Sequence, residues 1–184
     1  MMKINKILDA LNIAYPEARC MLDYKKDYEL VIAVMLSSQT TDVCVNKVTP
    51  KLFSTFNDLN KLKNASYEEV HFIIKKLGLA NKKAANVINI AKIIAEEFDY
   101  KVPNDRDKLS LLPGVGRKSA NVIMLEAFNN PVGIAVDTHV KRISTRIGFT
   151  KQTEPEKIEQ DLLKQIPKEY IKDVNHLFMW HGRN

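Results

Sequence analysis

Apolar residues recur at helical spacing through most of this chain. Ile4, Ile7, Leu8 and Leu11 share one face of a first helix, which Pro16 stops. Tyr28 to Leu36 (YELVIAVML) is dense enough for a buried helix and runs into the polar hinge Ser37-Ser38-Gln39-Thr40-Thr41. Asp42 to Phe56 predicts another helix, which Pro50 either kinks or divides. Ser66 followed by Glu69 forms a capping box ahead of the stripe Val70, Ile73, Ile74 and Leu77, and Gly78 is expected to end that helix as a left-handed cap. Asn81 reads as the cap of a long helix with the stripe Ala84, Val87, Ile88, Ala91, Ile94 and Ala95. Asp105 caps a short helix ending at Leu112, Pro113-Gly114-Val115-Gly116 is a tight turn, and Arg117 to Phe128 is helical. After the break at Asn129-Asn130-Pro131, the short apolar Ile134-Ala135-Val136 leads to Asp137, which caps a helix to about Ile147. Glu154 to Ile166 and Lys168 to Trp180 are the last two helices. No strand, repeat or linker stands out, so the expected fold is all-α.

Composition narrows this only a little. The 184 residues suffice for one large domain or two small lobes. Few glycines and prolines, with Lys, Leu, Ile, Ala, Glu and Asn dominant, favour helices over a sandwich or barrel. The net charge of +6 suits a polyanionic partner or simply solubility. Because that charge is dispersed, with no basic tail, any surface for a polyanion has to be assembled by the fold. Cys20 and Cys44 are too few and too far apart for a zinc or iron–sulfur framework, and they read as two thiols in a reducing cytosol. The N-terminus has no apolar core or small-residue cleavage site of a signal, and no apolar run approaches the ~20 residues of a membrane span. A cytoplasmic protein without a membrane partner is expected.

The candidate chemistry lies in LSLLPGVGRKSAN. Two short helices joined by Leu-Pro-Gly-Val-Gly form a helix-hairpin-helix, whose glycines allow a positive φ and leave amides uncovered. Those amides and the positive end of the next helix suit a DNA phosphate, which positions a protein without reading sequence. Lys118 falls in the first turn of that helix, where the macrodipole opposes a cation and favours the neutral, nucleophilic amine. By itself Lys118 reads equally as a phosphate contact or a nucleophile. Asp137, 19 residues downstream, is an ordinary helix cap on one reading. On the other it is a carboxylate that stabilises positive charge on a sugar.

LPGVGRKSANVIMLEAF followed by VDTHVKRISTRIG resembles the endonuclease III branch of the helix-hairpin-helix Gly/Pro-Asp (HhH-GPD) DNA glycosylases. The segments YELVIAVMLSSQTTDVCVNKV, KKLGLANKKAANVI and VPNDRDKLSLLPGVGRKSAN extend the similarity in order along the chain. The resemblance implies a two-lobed helical fold: a six-helix barrel lobe over 22–129 holding the hairpin, and a second lobe from 1–21 with 130–184. It implies a base-excision repair glycosylase that removes oxidised pyrimidines and nicks the abasic site by β-elimination. Lys118 would be the nucleophile and Asp137 its assisting carboxylate. Gln39, which unaided reads as a loop residue, would fill the hole left by the flipped base; Leu79, which unaided reads as core, would wedge the opposite strand. Gly114, Val115 and Gly116 would offer amides to phosphate, and His139 would be a phosphate or supporting contact where it is not merely structural. Lys141, Arg142 and Arg146 would lie near the DNA backbone or be merely solvated. A catalytically idle DNA-binding protein and a mismatch glycosylase of the same fold are the alternatives.

The partner implied is duplex DNA carrying damaged bases or abasic sites, bound by a monomer and associated with the nucleoid. One departure stands out. The family usually continues past a His-Gly-Arg segment into four cysteines that hold a 4Fe–4S cluster, whereas here His181-Gly182-Arg183 is followed by Asn184 alone. Whether the sequence is truncated or naturally short, it is expected to bind no cofactor or metal, to grip DNA less tightly and to retain the chemistry.

Overall fold

The computed structural model describes residues 2–183, and among these it contains helices and turns but no strand. In chain order the helices are α1 (Met2–Ala14), α2 (Asp27–Leu36), α3 (Asp42–Asn46), α4 (Thr49–Thr55), α5 (Leu59–Lys63) and α6 (Tyr67–Ile74). They continue with α7 (Ala80–Glu97), α8 (Arg106–Leu109), α9 (Arg117–Phe128), α10 (Thr138–Arg146), α11 (Pro155–Gln165), a 3-10 turn (Lys168–Tyr170) and α12 (Ile171–Arg183). The all-α expectation holds. No helix among the described residues is long and apolar enough to cross a membrane. The chain forms two compact units, a continuous one over 21–123 and a discontinuous one from 1–20 with 124–184. It passes from one to the other within α9, ahead of the Asn129-Asn130-Pro131 break.

In the continuous unit, α2 is buried on every side from Tyr28 to Leu36, as a helix apolar all round must be. Its one buried charge is satisfied, because Glu29 Oε2 accepts from Lys25 N at 2.8 Å. The stripe of α7 is buried and packs against α2, α5 and α6. The capping box of α6 is present, with Glu69 N donating to Ser66 Oγ at 3.2 Å and Ser66 N donating to Glu69 Oε2 at 3.4 Å.

One open expectation is settled and others need correcting. Pro50 divides the 42–56 segment rather than kinking it: it sits in the first turn of α4, where no helical N–H is needed. The short α5 was not anticipated, because five residues carry no readable periodicity; Asp58 caps it, accepting from Lys61 N at 2.7 Å. Asn81 lies inside α7, whose N-cap is Leu79 with φ 60° and no side-chain cap bond. The left-handed residue after α6 is therefore Leu79 and not Gly78.

The discontinuous unit has its own core, built from Leu8, Leu11, Val140, Ile143, Ile158, Leu162, Val174, Leu177 and Phe178 among others. Within it α12 packs on α1 and α10. Asn175 of α12 grips the buried approach to Asp137 from both sides: its Nδ2 donates to Ala135 O at 2.8 Å, and its Oδ1 accepts from Ala135 N at 3.0 Å. A side-chain amide thus satisfies both peptide groups of the buried Ala135, so neither is orphaned. One residue further on, His176 Nε2 meets Glu126 Oε1 of α9 at 2.7 Å.

Candidate nucleic-acid interface

The hairpin is built from α8 outward. Asp105 caps α8, accepting from Lys108 N at 2.9 Å, and Leu109 and Leu112 are buried beneath the turn. Gly114 has φ +80°, and a Cβ there would come 2.7 Å from Asn86 Nδ2 and 2.9 Å from Met35 Cγ. Conformation and space both require glycine. Gly116 faces open space, so its backbone is uncovered at the start of the twelve-residue α9. Val115 departs from its expected role. Its N–H already donates to Leu112 O at 3.0 Å, and its side chain is buried. It anchors the turn, with burial contributing about 2 kcal/mol, while exposed Gly114 and Gly116 present the backbone. Lys118 is the second residue of α9 and is exposed, and no acidic residue shares its turn. This arrangement suits an anion at the helix start and an amine beside it.

Two further positions in the same unit are held unusually. Gln39 has φ 52° and Leu79 φ 60°, both left-handed and neither glycine. Such residues cost on the order of 1 kcal/mol each and persist where the surroundings over-determine them. Both side chains are exposed, Leu79 by 53%. The core reading of Leu79 is thereby overturned. The two backbones are neighbours, since a Cβ on Gly78 would stand 3.6 Å from Gln39 O. They are also tied together: Lys83 Nζ donates to Thr40 Oγ1 at 2.7 Å, and Lys83 N donates to Leu79 O at 3.0 Å.

Asp137 and His139 belong to the discontinuous unit. Asp137 is half-buried and caps α10, its Oδ1 accepting from Val140 N at 2.8 Å. The carboxylate is thus oriented by one oxygen, at the end of the segment that Asn175 grips. The His139 ring is engaged within its own unit: Nδ1 lies 3.4 Å from Arg142 Nη2, and a Cβ on Gly182 would come 2.8 Å from the ring. Arg142 also donates to Gly182 O. His139 therefore braces α10 against α12. Lys141 is half-buried, and Arg142 and Arg146 are exposed.

Residues 32–168 match the family described as HhH-GPD superfamily base excision DNA repair protein. This chain belongs to that superfamily. It is similar to endonuclease III of Synechocystis sp., with 43% identity over 98% of this chain and 83% of the relative. Against endonuclease III of Escherichia coli the identity is 42%, over 97% of this chain and 84% of the relative. Among solved structures it is similar to a trapped endonuclease III–DNA covalent intermediate, with TM-score 0.93 and 40% identity, covering 99% of this chain and 85% of that one.

The residues of this HhH-GPD protein do not fit a four-cysteine cluster. Its sequence has two cysteines, Cys20 in the discontinuous unit and Cys44 exposed on α3 in the other, and neither is in a disulfide. Sequence reasoning also missed Lys83, Asn86 and Met35. A signal existed for Lys83: four residues before Val87, it puts a charge on the buried stripe of α7.

Proposed function

We propose that this HhH-GPD protein removes oxidised pyrimidines from duplex DNA and then opens the strand at the resulting abasic site. The observation that carries this reading is Lys118, exposed in the first turn of α9 directly behind an uncovered glycine hairpin. The solved covalent complex of endonuclease III with DNA, 40% identical, supports it.

The hairpin backbone and the start of α9 hold a phosphate, and the damaged nucleotide leaves the stack. The Lys118 amine bonds to C1′ as the glycosidic bond breaks; its electron pair leaves with the base, which takes up a proton. Sugar-ring opening gives an imine. Loss of a C2′ proton then expels the 3′ phosphate, and water releases the lysine and an unsaturated aldehyde. Asp137 stabilises positive charge on the sugar and helps to deprotonate the amine. Gln39 occupies the space left by the displaced nucleotide and Leu79 wedges the opposite strand, which accounts for two exposed side chains on left-handed backbone. The working form is read as a monomer, acting on nucleoid DNA in the cytoplasm.

Borohydride reduction of the imine tests this. Wild type incubated with duplex DNA containing thymine glycol or an abasic site is expected to yield a covalent adduct, absent in Lys118→Gln. Robust DNA binding with no wild-type adduct would instead indicate an idle binding module.

A further inference from the structure

Lys83 is placed where two effects disfavour a lysine. It is 3% exposed, and burial lowers its ammonium pKa from the ordinary value. It also lies in the N-terminal part of α7, where the macrodipole opposes a positive charge. Its ammonium donates to a hydroxyl, Thr40 Oγ1, at 2.7 Å, and burial alone moves its pKa. A methionine would fill the same space without desolvating an amine, so the stability of α7 does not explain the residue.

Its connections do. The Lys83 Nζ bonds the side chain of the residue after Gln39, which no uncharged side chain of that length would do. Its N–H makes the ordinary helical bond of α7 to Leu79 O at 3.0 Å, which fixes where the lysine starts relative to Leu79. One residue is thus attached to both left-handed segments. Three residues on, Asn86 of the same helix backs onto the glycine of the hairpin.

We propose that Lys83 is a positioning residue, a strut that sets Gln39 and Leu79 at the spacing needed to enter the duplex together, one in the space left by the displaced nucleotide and the other in the opposite strand. This rests on the reading of Gln39 and Leu79 given above. Lys83 touches no reacting atom; it acts through two residues that would otherwise relax out of their strained conformations. The effect belongs to base displacement from a duplex and is absent where nothing has to be displaced.

The test compares wild type, Lys83→Met, Lys83→Arg and Thr40→Val on duplex DNA containing thymine glycol and on a single-stranded abasic oligonucleotide. Loss of a hydrogen bond to a charged group predicts that Lys83→Met loses about 10- to 100-fold in kcat/KM on the duplex. Its rate of borohydride trapping on the single strand is unchanged, its Tm is equal or higher, and Lys83→Arg recovers part of the duplex activity. Thr40→Val shows the same duplex defect, and the double variant is no worse than either single one. Thr40→Val also keeps the test open should Lys83→Met fold poorly. Equal losses on both substrates, or none on the duplex, overturn the proposal.

A fluorescent adenine analogue beside the lesion reports unstacking without chemistry and separates the two readings. Wild type that unstacks DNA but forms no adduct overturns the role of Lys118 and leaves the strut standing if Lys83→Met unstacks less. Wild type that forms the adduct, with Lys83→Met unstacking equally well, overturns the strut alone. Failure of wild type in both assays overturns both.

Discussion

The two units of this HhH-GPD protein hold their candidate functional residues by opposite means. In the continuous unit Gln39 and Leu79 stand on left-handed backbone, exposed, with a buried lysine binding their supports together. Lys118 stands where the dipole of α9 opposes it. In the discontinuous unit Asp137 is a favourable N-cap on α10, and the backbone leading to it is satisfied by Asn175. The first unit accepts strain to present groups outward; the second fixes a carboxylate with ordinary stabilising bonds. Substitutions in the first should therefore separate function from stability, while those in the second should couple them unless the cap is preserved.

The largest effect is expected at Lys118. Lys118→Gln should lose borohydride-trapped adduct by at least roughly 10,000-fold, since the nucleophile is gone. Thermal denaturation should show equal or slightly higher stability, by about 0.5 kcal/mol, because a cation leaves a helix start. Next comes Asp137→Asn, which retains a cap of similar quality and removes the charge. Single-turnover base release should fall about 100- to 1000-fold with Tm almost unchanged, whereas Asp137→Ala should lose an additional ~1 kcal/mol of stability. A fall in Tm as large for asparagine as for alanine would break the distinction between cap and charge.

Asn175→Ala strips both partners from Ala135 and should destabilise the protein by roughly 2–4 kcal/mol in denaturant titration. Its trapping rate should drop as well, because the Asp137 approach loosens. The smallest effect is expected at Leu79. Leu79→Gly suits a left-handed position, so stability should stay level or rise by up to about 1 kcal/mol. Lesion-duplex activity should fall roughly 10-fold, if filling a gap in stacked bases resembles burying a leucine side chain.

What was legible in the sequence were features set by near neighbours. Ser66 with Glu69, Asp105 and Asp137 all cap the helices expected of them, and Gly114 turns the hairpin. Their physics spans only a few residues, so spacing reveals it. The misreadings arose where distant packing decides. Glycine is the default left-handed residue, which made Gly78 the natural choice; yet Leu79 takes that conformation, its carbonyl bonded to a lysine whose side chain reaches back 43 residues. The Asn175 grip spans 40 residues and leaves no periodic trace. Hydropathy alone reads Leu79 as core because apolar residues usually are; its exposure reflects a backbone direction that hydropathy does not encode.

The left-handed backbone at Gln39 and Leu79 also bears on how the protein meets DNA. Ordering a flexible backbone on contact would subtract about 1–2 kcal/mol per residue from affinity. Here the main chain beneath both tips is already committed when the polypeptide folds, so that part of the entropy loss precedes the encounter. On the proposed reading of Gln39 and Leu79, scanning along undamaged duplex proceeds with both tips on preset backbone, each trial insertion succeeding or failing on the stacking strength of the base pair it meets.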